Sequence, residues 1–141
     1  MAELFGENSS TKVELDETNV LELVAVQKVL VVRHGFDEEK NAVVGTVRVA
    51  NSSYEKNVQV RYTFDEWNTP CRDLNLIWEG SVGENKTTDR FGLIIPLPSL
   101  QWRGCVEFAI KCEVNGQIYW DNNHKKNYKE TITRRDVANP V

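Results

Sequence analysis

The chain has 141 residues, 40% of them hydrophobic, with a formal net charge of −4. That describes one folded domain with a real core and excludes a disordered chain. A mildly acidic surface lacks the phosphate-neutralising character that dominates nucleic-acid affinity, and no apolar run approaches the roughly eighteen residues of a membrane helix, so nucleic acid and membrane are both excluded as partners.

Residues 1–18 are polar, acidic and aperiodic, and read as a flexible head; residues 1–7 have neither the basic nor the apolar region of a signal peptide. The domain is expected over 19–133, with a flexible tail at 134–141. Residues 20–32 are dense in valine and predict one long strand or two short ones broken near Gln27 and Lys28, a helix being the less favoured alternative. Residues 33–41 read as a charged loop. Alternation then becomes regular: Val43, Val47 and Val49 around Gly45; Val58, Val60, Tyr62 and Phe64; Leu74, Leu76 and Trp78; Phe91, Leu93, Ile95 and Leu97; and Val106, Phe108, Ile110, Cys112 and Val114. On this parity Trp78 belongs in the core, while Trp102 falls in a loop. Asn115-Gly116 is a type I′ hairpin signal, because both central residues need positive φ, and the hairpin delivers Trp120 to a sheet edge. About eight short strands with no convincing amphipathic helix predict an all-β fold, an immunoglobulin-like antiparallel β-sandwich.

Charge and cysteine usage add detail. Residues 1–45 carry 9 acidic and 4 basic groups, a balance of −5, whereas 111–141 carry 4 and 6, a balance of +2. Cys71, Cys105 and Cys112 cannot all pair within one chain and match no zinc or CxxC spacing, which points to reduced thiols in the cytoplasm.

Residues 120–128 place Trp120 and Tyr128 around Asp121, Asn122, Asn123 and Asn127. An apolar ring face beside groups that donate and accept directional hydrogen bonds suits a sugar, which has a CH face and a hydroxylated rim. The alternative is a polar turn before a final strand, with Trp120 and Tyr128 both in the core. Residues 47–68 form a second constellation, with Tyr54 in a connection between strands and Trp67 just beyond a strand end, where binding residues tend to sit.

Other chemistries fit less well. A calcium loop of the EF type wants ligand oxygens and a glycine where Lys125 and Lys126 stand. His34 and His124 have no partners at metal spacing and read as solvated loop residues. Asp65 and Glu66, adjacent at a strand end, point apart and make a poor glycosidase pair. No nucleophile elbow, phosphate loop or zinc signature is present, so neither an enzyme, a metal site nor a cofactor is expected.

The two constellations, 45–67 and 106–128, together resemble carbohydrate-binding module family 21, most of all the glycogen-targeting regulatory subunits of protein phosphatase 1. The resemblance runs from about Val20 to Ile132. It implies a module that binds α-1,4-glucan without cleaving it, with up to two sugar sites. Trp67 and Trp120 match the platforms of the first, and Tyr54 that of the second, helped by Asn51, Lys56, Asn122, Asn123 and Asn127. It further implies glycogen association, recruitment of the phosphatase catalytic subunit, and docking of substrates such as glycogen synthase near 120–128. Two departures stand out. Ala109 occupies a position where some microbial relatives carry a further platform tyrosine, and residues 12–15 have only the start of a phosphatase-docking motif. The alternatives are a starch-binding module of a secreted amylolytic enzyme and a sandwich that binds only protein.

Overall fold

The structure, a computed structural model, describes residues 16–51 and 55–134. Strand alternation builds it. Among the described residues nine strands form: β1 Val29–Asp37, β2 Ala42–Ala50, β3 Lys56–Thr63, β4 Arg72–Asn75, β5 Ile77–Val82, β6 Thr88–Pro96, β7 Gly104–Val114, β8 Gln117–Asp121 and β9 Tyr128–Ile132. They make two antiparallel sheets, ordered β1-β2-β6-β5 and β4-β3-β7-β8, with β9 also paired to β7. The alternating residues of β2, β3, β6 and β7 meet between the sheets: Val43, Val47, Val60, Ile95, Val106, Phe108 and Ile110 are all 0% exposed. This is the expected β-sandwich.

The valine-dense segment corrects the expectation of strand. Glu17–Gln27 is a helix, α1. Asp16 caps it by accepting from the Asn19 amide at 2.9 Å, and Lys28 closes it in a left-handed conformation at φ 75°. The break near Lys28 is real, but a helix precedes it. Val20 and Val24, one turn apart, are both buried and pack with Leu30, so tertiary burial overrides the strand preference of valine. Glu17, in the first turn, accepts two hydrogen bonds from the Arg48 guanidinium, at 3.0 and 2.7 Å.

Several boundaries move with it. Residues 16–18 belong to the capped helix rather than to a head, and residues 1–15 lie outside the described residues. Arg134 belongs to the domain: its guanidinium donates to the carbonyl of Trp102 and to Oδ1 of Asn41 and lies over the Phe36 ring, while 135–141 lie outside the described residues. Residues 33–37 continue β1 instead of forming a loop. His34 is therefore no solvated loop residue: it bonds Glu130 through Nδ1 and packs edge-on against Phe108 and Tyr128. β1 approaches β2 so closely here that a Cβ on Gly45 would lie 2.6 Å from the Arg33 carbonyl oxygen, which explains the glycine.

Trp78 also departs from expectation. Leu74 lies in β4 and Trp78 in β5, strands of different sheets, so they share no face. Trp78 stands on the edge strand of the first sheet, 60% exposed. The three cysteines are free thiols, Cys71 and Cys105 exposed and Cys112 buried, and burial pushes the Cys112 thiol up to about 11. No helix among the described residues is long and apolar enough to cross a membrane.

Candidate functional site

Strands β8 and β9 lie end to end along one edge of β7. Val114 to Ile110 of β7 pair with β8, and Phe108 to Gly104 pair with β9. The chain between them, 122–127, is thereby forced out as a loop at the middle of the edge. The preceding hairpin turn has the expected geometry, with Asn115 at φ 54° and Gly116 at φ 76°.

The loop is shaped by its own amides. Asn123, His124 and Lys125 are all left-handed, at φ 53°, 56° and 71°, and Asn127 follows at 58°. Such conformations cost non-glycine residues energy and need surrounding structure to hold them. Here Asn122 Oδ1 accepts from the Lys125 amide, its carbonyl accepts from the Asn127 amide at 2.7 Å, and Asn123 Nδ2 donates to the Asn127 carbonyl. Asn122 Nδ2, Asn123 Oδ1 and Asn127 Oδ1 make no hydrogen bond among the described residues and remain available.

Asp121 points inward, 5% exposed, and its carboxylate accepts from the Val31 amide of the other sheet, the Tyr128 hydroxyl and the Asn123 amide, at 2.8, 2.7 and 3.1 Å. It fastens the loop to both sheets. The Tyr128 ring stacks on Phe108, and burial, with the adjacent Asp121 carboxylate, raises its hydroxyl above the usual tyrosine range. Only part of the ring is exposed, at a cavity of about 330 Å³ shared with His34, Asn123, Lys126, Asn127 and Lys129.

Trp67 and Trp120 share the outer face of the second sheet. Trp120 stands opposite Lys111 on β8, 39% exposed, with the Arg61 guanidinium 5.1 Å from its ring centroid. Arg61 is itself held by Asp73 at 2.9 and 3.0 Å, a pairing that lowers the Asp73 pKa and raises that of Arg61. Trp67 follows β3 in a loop built on Thr63, whose hydroxyl oxygen accepts from the Asp65 and Trp67 amides and donates to the Asp65 carboxylate. The Thr63 hydroxyl, followed by Thr69, holds the Asp65 pKa down. Asp65 thus shapes the loop.

The Trp67 indole donates to Glu107 Oε2 at 2.9 Å, and Asn127 Nδ2 donates to the same oxygen at 3.1 Å. Glu107 and Lys111 are four residues apart on β7, which places the two tryptophans' rows about 13 Å apart. Ala109 lies between them, 5% exposed. Glu107 and Arg61 are not among the aromatic and amide residues that stand out in the sequence. The signal available was strand parity, which turns both outward beside the aromatic residues.

The second constellation lies elsewhere. Lys56 pairs across the sheet with Val114, seven residues along β7 from Glu107, so the two regions are about 23 Å apart. Asn127 therefore lies beside Trp67, through their shared partner Glu107, and away from Asn51 and Lys56. Lys56 is not a surface contact: its ammonium lies 2.6 Å from Asp89 and 3.2 Å from Asn51 Oδ1, with its side chain 4% exposed. Asn51, exposed, donates from Nδ2 to the Lys86 carbonyl. Tyr54 lies outside the described residues. No group of His, Cys, Asp and Glu among the described residues has the arrangement to hold a metal ion.

The sequence profile of the carbohydrate/starch-binding module (family 21) matches residues 23–131. The chain belongs to carbohydrate-binding module family 21. This family 21 chain is 38% identical over 104 residues to protein phosphatase 1 regulatory subunit 3C of Rattus norvegicus, an alignment covering 73% of the chain and 32% of that protein. It is 41% identical over 93 residues to regulatory subunit 3B of Homo sapiens, covering 62% of the chain and 31% of that protein. The chain spans about a third of the length of these curated relatives. Among solved structures it is similar to the carbohydrate-binding module of the muscle glycogen-targeting subunit of protein phosphatase 1. That likeness has a TM-score of 0.73 and 26% identity, over 93% of this chain and 94% of the other. It is also similar to the starch-binding domain of Rhizopus oryzae glucoamylase, solved with beta-cyclodextrin and maltoheptaose. Here the TM-score is 0.57 and the identity 26%, over 78% of this chain and 96% of that one.

Proposed function

We propose that this module binds glycogen, or a related α-1,4-glucan, without cleaving it, as the targeting domain of a protein phosphatase 1 regulatory subunit. The observation that carries the reading is the outer face of the second sheet, where Trp67 and Trp120 flank Glu107, Ala109 and the Asn127 loop. The indoles offer stacking surface and the loop amides offer hydrogen bonds to hydroxyls. Stacking contributes about 0.5–1.5 kcal/mol per contact if aromatic pairs are a guide, so one site binds weakly. A branched polymer compensates, because each further contact is effectively intramolecular.

Asp121 and Tyr128 support the site from beneath, and Lys56 supports Asn51. In this reading the whole protein recruits the phosphatase catalytic subunit through a segment other than the sandwich, resides on cytoplasmic glycogen, and docks glycogen synthase near 120–128. The similarity to phosphatase regulatory subunits supports this over a starch-binding module of a secreted enzyme. Co-sedimentation with glycogen, against insoluble cellulose as a β-linked control, tests the glucan reading. The chain pellets with glycogen and not with cellulose; failure to pellet with glycogen sinks the reading and favours a sandwich that binds only protein.

A further inference from the structure

We infer that Glu107 is the positioning residue of the glucan site, joining the Trp67 and Asn127 loops into one binding surface. This rests on the glucan reading and deepens it. Glu107 stands within β7, paired on one side with Thr63 of β3 and on the other with Lys129 of β9, so its backbone is fixed on both flanks. The two groups it holds lack that support: Trp67 and Asn127 both lie in loops and both have left-handed backbones, at φ 66° and 58°. For Trp67 the left-handed conformation also runs against local preference, whereas asparagine tolerates it.

A single carboxylate oxygen then does two things. It accepts from the indole N–H, and a charge-assisted bond in the ring plane fixes the plane of the Trp67 platform before a ligand arrives. It also accepts from Asn127 Nδ2, which leaves Asn127 Oδ1 as the atom offered to a ligand, an acceptor for a sugar hydroxyl. Pre-setting both groups removes ordering cost from the binding step. The site is thus one unit built from two loops far apart in sequence.

The test uses the full chain, maltoheptaose as probe, and Glu107→Ala beside Glu107→Gln. Calorimetric affinity is measured together with the ¹⁵N-resolved indole N–H resonance of Trp67. In Glu107→Ala the affinity falls about tenfold, as expected for loss of a hydrogen bond to a charged group, and the indole resonance moves upfield toward its solvent-exposed position. Glu107→Gln keeps an acceptor oxygen and recovers affinity to within about threefold of wild type. A folded Glu107→Ala protein with unchanged affinity, or an indole resonance that stays in place, overturns the inference. If the wild-type chain binds no maltoheptaose, the glucan reading fails, and the indole resonance alone decides whether Glu107 orients Trp67.

Discussion

Trp67 and Asn127 donate to the same carboxylate oxygen, Glu107 Oε2, at 2.9 and 3.1 Å. The link can be measured without a ligand. Trp67→Phe keeps an aromatic ring and deletes the N–H. Combined with Glu107→Ala in a double-mutant cycle read by chemical denaturation, it gives a coupling of about 1 kcal/mol. Additive single effects would show that the two side chains do not act together.

The 122–127 loop holds its shape against backbone preference. Lys125 is exposed and left-handed at φ 71°, and its amide donates to Asn122 Oδ1. Lys125→Gly keeps that bond and removes the Cβ penalty, so it raises stability by about 1 kcal/mol. Thermal unfolding checks it. A lower Tm would mean that the lysine side chain contributes more than its backbone costs.

Lys56 and Asp89 form an ion pair with side chains 4% and 6% exposed, and the Ser81 hydroxyl donates to the second Asp89 oxygen at 2.8 Å. Asp89→Asn removes the carboxylate charge beside the buried ammonium and costs about 3 kcal/mol or more. Denaturant unfolding measures this. A cost under 1 kcal/mol would show that water reaches the pair and that Lys56 is available as a surface ligand.

How much of this was legible follows from which signals act over short range. The parity of Val58, Val60 and Tyr62, and of Val106 to Val114, states which face of each strand is buried, and Asn115-Gly116 states its own turn. Helix α1 departs from the strand preference of its valines because Val20 and Val24 share a helical face that is buried against Leu30 of β1. Trp78 was misplaced because parity cannot reveal that the chain changes sheets between Asn75 and Ile77. At the candidate site, aromatic and amide composition marks residues 120–128 and 47–68 as segments. It does not separate outward-facing side chains from those, such as Asp121 and Tyr128, that anchor the loop from inside. That distinction depends on Val31, ninety residues away in the chain.

Acid stability follows from two carboxylates. The Arg48 hydrogen bond lowers the Glu17 pKa from its ordinary 4.5, and the Arg61 hydrogen bond lowers that of Asp73 from 3.8. Because both folded values lie below the unfolded ones, the stabilisation is fully present above about pH 4.5 and is lost as pH falls through the folded values. The Tm therefore declines below that point. Glu17→Gln reduces the Glu17 part of this decline and lowers stability at pH 7 by about 1 kcal/mol, a modest figure because Glu17 is half exposed. A variant with the same acid profile as wild type would show that Glu17 and Arg48 do not pair in solution.

The most direct measurement is glycogen co-sedimentation of the Trp67→Ala, Trp120→Ala double variant beside wild type, with circular dichroism to confirm that both are folded. Wild type pellets with the polymer and the folded double variant stays in the supernatant. A folded double variant that pellets as well as wild type would contradict the placement of the site on the outer face of the second sheet.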